Sequence, residues 1–162
     1  MLKTMLFFLV AALGLSAAAF VLIGRERIWM MVAGTPDRGQ YDFSLASRSL
    51  TPNDALACTE GLCEKPDFVI AARQGQPDLV LNDVIGDFLA GDPLARRLDT
   101  GSDPLRARFV TYSPLMRFPD LVSLEAVALP DGMTGLMAYV RAQLGSSDMG
   151  KNRERLERLF AD

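Results

Sequence analysis

Histidine is absent from all 162 residues of the chain. This removes the commonest general base, the usual partner that activates a serine or cysteine nucleophile, and the most frequent zinc ligand. The sequence also lacks the G-x-S-x-G and S-x-x-K motifs and the P-loop and dinucleotide-binding fingerprints. Catalysis would have to use carboxylates, Lys, Arg, Tyr or Cys, so we expect a protein that is not an enzyme and that holds no cofactor and no metal.

Positive charge is also in short supply. The 17 Lys and Arg residues are outnumbered by 20 Asp and Glu residues, which gives a formal net charge of -3. Nucleic-acid binding depends on a basic surface that releases counterions from phosphates. A chain with this charge balance has no broad surface of that kind, and we predict no nucleic-acid partner.

One long hydrophobic run is present, at residues 5–24, where 20 consecutive residues carry no charge. A helix of about 20 apolar residues spans the hydrocarbon core of a bilayer. The alternative is a signal peptide cleaved near Ala19, because small residues at 16–19 fit a signal-peptidase site. The apolar run continues past that site to Ile23, which favours a retained membrane anchor at residues 1–28.

The orientation of this segment is not fixed by charge, because Lys3 precedes it and Arg25 and Arg27 follow it. A hydrophobic segment at the extreme N-terminus, after a short basic region, favours export of everything that follows. We therefore expect the remainder of the chain to lie outside the cytoplasm.

The chain has two cysteines, Cys58 and Cys63, separated by four residues that include Gly61. This spacing allows a small disulfide loop and differs from the C-x-x-C spacing of thioredoxin-type redox sites. Two cysteines without histidine make a poor metal site. A structural disulfide is the favoured interpretation and fits an oxidising compartment, with unpaired buried thiols and redox or metal chemistry as alternatives.

The chain after the anchor divides into two parts by composition. Residues 29–66 are rich in Gly, Pro, Ser, Thr and Asp, which predicts a linker and an extended entry into a domain at 67–162. Early in that domain, an apolar run at 67–73 predicts a strand, and apolar residues at helical spacing predict an amphipathic helix over 77–89.

Three more strands and a last helix follow. The strands are predicted at 107–113, 121–129 and 134–142, and Asp131-Gly132 between the last two indicates a hairpin. The helix is predicted over 149–160. This order of elements predicts an α+β fold with a mainly antiparallel sheet.

The C-terminal stretch from 139 to 160 gathers polar residues around the predicted hairpin end and last helix. Asp148 is the predicted N-cap of this helix, and Arg141 is predicted at the far end of a hairpin strand. The inner side of the helix is predicted to carry Met149, Asn152, Leu156, Leu159 and Phe160.

These polar residues allow two interpretations. In the first, Arg141 joins Arg153 or Arg155 and the free N–H groups of the helix to hold an anion or a partner carboxylate. In the second, Asp148 caps the helix and pairs with Arg141 or Arg155, while Asn152 bonds to backbone in the preceding loop. We favour the second interpretation, in which the residues lock the helix to the hairpin.

The same region resembles the C-terminal signature of the domain-of-unknown-function family numbered 1499. The residues that match are Phe118, Pro119 and Asp120, and then Arg141, Gly145, Asp148, Gly150, Asn152, Arg153 and Arg155. Ala142 and Gln143 stand where that family tends to have Ser and Arg, and "TPNDALAC" at 51–58 corresponds to its Pro-Asn entry. The resemblance implies a bacterial envelope protein, and it implies no activity because none is established for the family.

Together these observations predict a non-enzymatic, single-pass protein of the bacterial inner membrane with its domain in the periplasm. We expect an accessory, assembly or scaffold subunit whose partners are the membrane and other membrane or envelope proteins. The alternative is a module that binds a small anionic ligand or a lipid headgroup through Arg141, Arg153 and Arg155. An envelope enzyme is the third and least favoured possibility.

Overall fold

The computed structural model describes residues 1–45 and 48–161, and the chain divides into two compact units, Met1–Thr35 and Pro36–Asp162. The first unit contains helices α1 (Leu2–Leu22) and α2 (Arg25–Ala33). No side chain of α1 is buried, and the helix is long and apolar enough to cross a membrane. The predicted apolar N-terminal helix is therefore confirmed.

The second unit is built on a mixed sheet of seven strands within the described residues. The strands are β1 (Asp54–Thr59), β2 (Phe68–Ile70), β3 (Arg73–Gln74), β4 (Arg96–Arg97), β5 (Arg106–Tyr112), β6 (Pro119–Ala128) and β7 (Met133–Ala142). They are ordered β2-β1-β7-β6-β5-β4, and β3 extends the sheet by pairing with β7. Only β1 and β2 pair in parallel. The predicted α+β fold with a mainly antiparallel sheet is confirmed.

The predicted hairpin joins β6 to β7 through a short 3-10 turn at Pro130–Gly132. Asp131 and Gly132 have φ values of 59° and 71°, a left-handed conformation that Asp tolerates and Gly adopts without steric cost. The Asp-Gly pair therefore turns the chain as its sequence predicts.

Two helices cover one face of the sheet. Helix α3 (Pro77–Gly91) begins with proline in its first turn and buries Leu81, Val84 and Phe88, and helix α4 (Lys151–Leu159) buries Leu156. These side chains pack on the residues of β5, β6 and β7 that point to the same side. We call this side of the sheet the helix face.

The opposite face is covered by chain rather than by a helix. Tyr41 stacks on Tyr139 of β7 with ring centroids 3.8 Å apart, and Phe43 packs beside it. Leu56 and Cys58 of β1 complete this second, smaller core. We call this side the far face.

The structure corrects the predicted boundary of the domain. Strand β1 lies within residues 29–66, the range predicted as linker and extended entry, and it occupies an interior position between β2 and β7. Residues 55–59 are all buried. The prediction was wrong because β1 alternates little and contains small residues, Ala55 and Ala57, whose type does not favour strands. The folded domain therefore begins before residue 67.

Candidate functional site

A cleft of about 560 Å³ opens between the end of α3, the end of β5 and α4. Its lining includes acidic and basic side chains beside apolar ones. The charged lining residues are Asp87, Asp92, Asp120, Lys151, Glu154, Arg155 and Arg158. The four carboxylates and three cations leave the cleft with one excess negative charge.

Arg155 is the central side chain of this cleft. Its Nη1 donates to Oδ2 of Asp120 at 3.1 Å, and its Nε lies 3.4 Å from Oδ2 of Asp92. The side chains of Arg155 and Asp120 are only 13% and 12% exposed. At this distance Arg155 Nε and Asp92 form an ion pair, but their geometry is not that of a hydrogen bond. Among the described residues, Nε has no hydrogen-bond partner. One guanidinium therefore pairs with two carboxylates.

The sheet and the helices position these three groups. Asp120 and Thr111 are register partners on β6 and β5, and both point to the helix face. Thr111 donates its hydroxyl to Asp92 Oδ2 at 2.6 Å, which fixes the carboxylate that follows α3. Leu156 is fully buried, and its packing holds α4 so that Arg155 projects into the cleft. We call Asp92, Asp120, Thr111 and Arg155 the cleft cluster.

Burial raises the pKa of the Asp120 carboxyl above its ordinary value, and the Arg155 guanidinium opposes this effect without cancelling it. The nearby charges of Asp148 and Asp92 add to the rise in pKa. The Asp120 carboxyl therefore binds a proton more readily than an ordinary Asp.

Asn152 joins α4 to the start of β1. It is fully buried, its side-chain amide donates to the Asn53 carbonyl oxygen at 3.1 Å, and its own Oδ1 accepts from Arg155 Nη1 at 2.6 Å. Asn53 in turn donates to the carbonyl oxygen of Gly145 at 2.8 Å. Buried amides that are satisfied in this way specify a unique packing of helix on sheet.

The contacts of these residues differ from those of the predicted lock. Asn152 does bond to backbone, but at Asn53 before β1 rather than in the loop that precedes the helix. Asp148 accepts from the backbone N–H of Asn152 at 2.8 Å, although the residue at the N-cap position is Gly150. The pairing of Asp148 with Arg141 or Arg155 is absent from the ion pairs of the described residues, because Arg155 is taken by Asp92 and Asp120.

The three arginines proposed as one anion site are kept apart. Arg141 shares the far face with Tyr139, whereas α4 with Arg153 and Arg155 packs on the helix face. Arg153 lies on the exposed side of α4 and pairs with Glu157 at 2.7 Å. Arg141 is exposed and forms no ion pair with a described residue. Met149, predicted on the inner side of the helix, is 90% exposed because it precedes α4 with a positive φ.

A second polar cluster lies on the far face and was not predicted from the sequence. The Arg48 guanidinium contacts Asp54 at 2.9 Å and Asp67 at 2.8 Å, and the Tyr139 hydroxyl donates to Asp54 at 2.9 Å. Burial alone would raise the pKa of Asp54, but hydrogen bonds from Arg48, the Ser49 N–H and Tyr139 together lower it. We call Arg48, Asp54, Asp67 and Tyr139 the far-face cluster.

The Cys58–Cys63 disulfide predicted from the spacing is present, with Cα atoms 6.0 Å apart. Cys58 is fully buried in the far-face core, and Gly61 in the loop has a φ of 81°. The left-handed residue lets the chain turn back over five positions.

Asp120, Asn152 and Arg155 were predicted from the sequence, whereas Asp92 and Asn53 were not. Asp92 directly follows the helix-ending Gly91, and Asn53 lies in the Pro-Asn stretch that the resemblance had marked as a domain entry. That stretch was the available signal for Asn53. No family model, no curated protein and no solved structure matches the chain.

Proposed function

We propose that the protein is a membrane-anchored accessory or assembly subunit of a larger complex in the bacterial inner membrane, with its α+β domain in the periplasm. The observation that carries this proposal is that the polar groups of the cleft cluster are paired with one another. Arg155 is used to hold Asp92 and Asp120, and Asn152 is used to hold Asn53, so these polar groups maintain a shape. A domain whose buried polar groups serve its own packing is suited to contact with a partner.

The periplasmic location is supported by two features. Helix α1 is apolar and lies at the N-terminus, and the domain that follows contains a disulfide. Disulfides persist in the periplasm and are rare in the reducing cytosol. The resemblance to family 1499 agrees with an envelope protein.

The two alternative functions have less support. An anionic ligand would meet four carboxylates and three cations in the cleft, and the other candidate arginines, Arg141 and Arg153, lie elsewhere. For an enzyme, Asp120 with its raised pKa would be a candidate general acid in the cleft. The lining residues offer it no His or Cys nucleophile, and Arg155 holds it in an ion pair. A contact surface for a partner therefore remains the best-supported role.

The experiment is a pull-down of the full-length protein, gently solubilised from its native membrane, with mass spectrometry of its partners and of its own N-terminus. We expect an intact N-terminus and membrane proteins recovered in stoichiometric amounts. Recovery of a chain trimmed near Ala19 and free of partners would refute the proposal.

Two charge reversals on α4 form a matched pair that tests the cleft. Arg158 is exposed and lines the cleft, whereas Arg153 is exposed on the same helix and does not. We expect Arg158→Glu to reduce partner recovery and Arg153→Glu to leave it unchanged. Equal recovery with both variants would place the partner contact outside the cleft.

The location is tested with Asp131→Cys, which places a thiol in the exposed β6–β7 turn. The native cysteines are paired, so the introduced thiol is the one that reacts. A maleimide that crosses the outer membrane but not the inner membrane should label this variant in intact cells. Labelling only after lysis would put the domain in the cytoplasm.

A further inference from the structure

Three loops leave the sheet at the same end. They are residues 48–53 before β1, residues 113–118 between β5 and β6, and residues 143–150 after β7. The register shows this, because strand ends that flank these loops are paired: Asp54 with Arg141, Asp120 with Ala142 and Tyr112 with Pro119. Loops from sequence-distant parts of the domain thus form one end surface.

Each of these loops exposes large apolar side chains. Leu50 is 103% exposed, Leu115 is 74% exposed and Met149 is 90% exposed, while Met116 and Phe118 are each 37% exposed. We call these five residues the apolar tips. Single exposed apolar residues are ordinary on protein surfaces, but several gathered at one end mark an interaction surface.

The loops hold the apolar tips outward by their own hydrogen bonds. In the β5–β6 loop, the Arg117 N–H donates to the Ser113 carbonyl at 3.0 Å, and the Phe118 N–H donates to the Ser113 hydroxyl at 2.9 Å. Met149 has a φ of 56°, a conformation that costs energy in a residue with a side chain. The outward display of these apolar groups is therefore fixed before any contact is made.

Two arginines adjoin the apolar tips: Arg117, between Met116 and Phe118, and Arg141 at the end of β7. Residues 48–53 and 113–118 contain no carboxylate, although Arg48 is already paired with Asp54 and Asp67. In the third loop, the carboxylate of Asp148 accepts from the N–H groups of Gly150 and Asn152. The exposed Arg141 lies at the end of β7, where this loop begins. Cationic side chains beside exposed apolar ones are the composition that binds the interface of an anionic bilayer.

We propose that the apolar tips insert into the interface of the bilayer that α1 spans, so that the domain lies against the lipid surface. The inference rests on α1 entering a bilayer and is independent of a protein partner. The chain at residues 23–36 can extend no more than about 50 Å, which keeps the bilayer at high effective concentration. Separate protruding tips suit a fluid lipid surface, whereas a protein partner would need a pocket complementary to each of them.

The test uses the full-length protein in nanodiscs of phosphatidylglycerol and phosphatidylethanolamine. Nitroxide labels are placed singly through Leu115→Cys, Met149→Cys and Leu79→Cys, since the native cysteines are paired. Leu79 is the matched control because it is apolar and 61% exposed. Leu79 lies near the start of α3, at the end of the sheet opposite to the apolar tips. The strand before α3 is β3, and it pairs with the first residues of β7.

We expect the labels at 115 and 149 to be accessible to oxygen and protected from a water-soluble nickel reagent. This pattern is typical of labels that lie at the depth of the lipid headgroups or deeper. The label at 79 should be fully accessible to nickel. A Leu115→Glu/Met149→Glu variant, labelled through Leu50→Cys, should lose the protection at residue 50, and circular dichroism would verify that its fold is unchanged.

Three outcomes would overturn the inference. Labels at 115 and 149 that are as accessible to nickel as the label at 79 would show that the apolar tips stay in water. Protection that appears only after a copurified protein is added would assign this surface to a protein partner. Failure of the chain to enter nanodiscs would refute the anchor itself. In that case the protein would not comigrate with lipid, whereas in the first outcome it would.

Discussion

Replacing Arg155 with Met should destabilise the domain more than any other single change at the cleft. The substitution keeps much of the side-chain length but removes the positive charge that pairs with Asp92 and Asp120. The Arg155–Asp120 pair is largely buried, and removing one member of a buried ion pair typically costs about 3–5 kcal/mol. For a domain of this size we expect the melting temperature to fall by roughly 10 °C or more.

A second substitution tests whether the stranded carboxylate causes this loss. In Arg155→Met, Asp120 retains its burial but loses the cation that opposes the rise in its pKa. Asp120→Asn in the same background removes the buried charge. We expect the Arg155→Met/Asp120→Asn double variant to recover part of the lost stability, because an amide is less costly to bury than an unpaired carboxylate.

The pH dependence gives an independent check with a definite sign. A carboxyl whose folded pKa lies above its unfolded pKa of about 3.9 binds more protons in the folded state. Its contribution to stability therefore falls as the pH rises from about 4 through the raised folded pKa of Asp120. In Arg155→Met this pH-dependent loss should be larger than in the wild type.

The assay is urea unfolding of the full-length protein in mild detergent, followed by circular dichroism from pH 4 to pH 8. Arg153→Met on the same helix is the control, since Arg153 is exposed and its solvent-screened pair with Glu157 should contribute little to stability. A loss no larger in Arg155→Met than in Arg153→Met would refute the reasoning, as would an unchanged pH dependence.

Four further predictions concern other parts of the domain. Replacing Cys58 and Cys63 together with Ala should cost about 2 kcal/mol by loop entropy, and the wild type in reductant should show a similar fall in melting temperature. Asp54→Asn should destabilise the domain at neutral pH. The stability difference between this variant and the wild type should shrink as the pH falls from about 4 through the lowered folded pKa of Asp54. Urea unfolding as a function of pH measures this difference. Tyr139→Phe should cost about 1–3 kcal/mol in the same unfolding assay, because the Asp54 carboxylate loses a hydroxyl donor. Asn152→Ala should cost a similar amount and speed hydrogen exchange in α4, whereas unchanged exchange would contradict the role assigned to this amide.

The sequence predicts the elements whose side chains follow a clear period. The helix at 77–89 and the three strands at 107–113, 121–129 and 134–142 match α3, β5, β6 and β7 within a few residues. Their apolar residues alternate or recur because each element buries one side. Strand β1 escaped prediction because its burial results from tertiary position between β2 and β7, which local composition does not reveal.

Part of the candidate site was predicted as residues, but its contacts were not. Asp120, Asn152 and Arg155 were identified, but the partner carboxylate Asp92 belongs to the end of α3, more than 60 residues before Arg155. The separation of Arg141 from Arg155 follows from strand alternation and from the packing of α4 on one face. The face on which a helix packs is decided by long-range contacts, which sequence spacing alone does not contain.

The pairing of β1 with β7 constrains when the domain can fold. Asp54 is bonded in register to Arg141, so a growing chain cannot complete the centre of its sheet until its last strand has been made. The Cys58–Cys63 bond closes over five positions and needs no distant partner. The disulfide can therefore form early and order the end of β1, while the edge of β1 that pairs with β7 stays open until β7 has been made. A folding factor that shields this edge would act on β1, in the interior of the sheet.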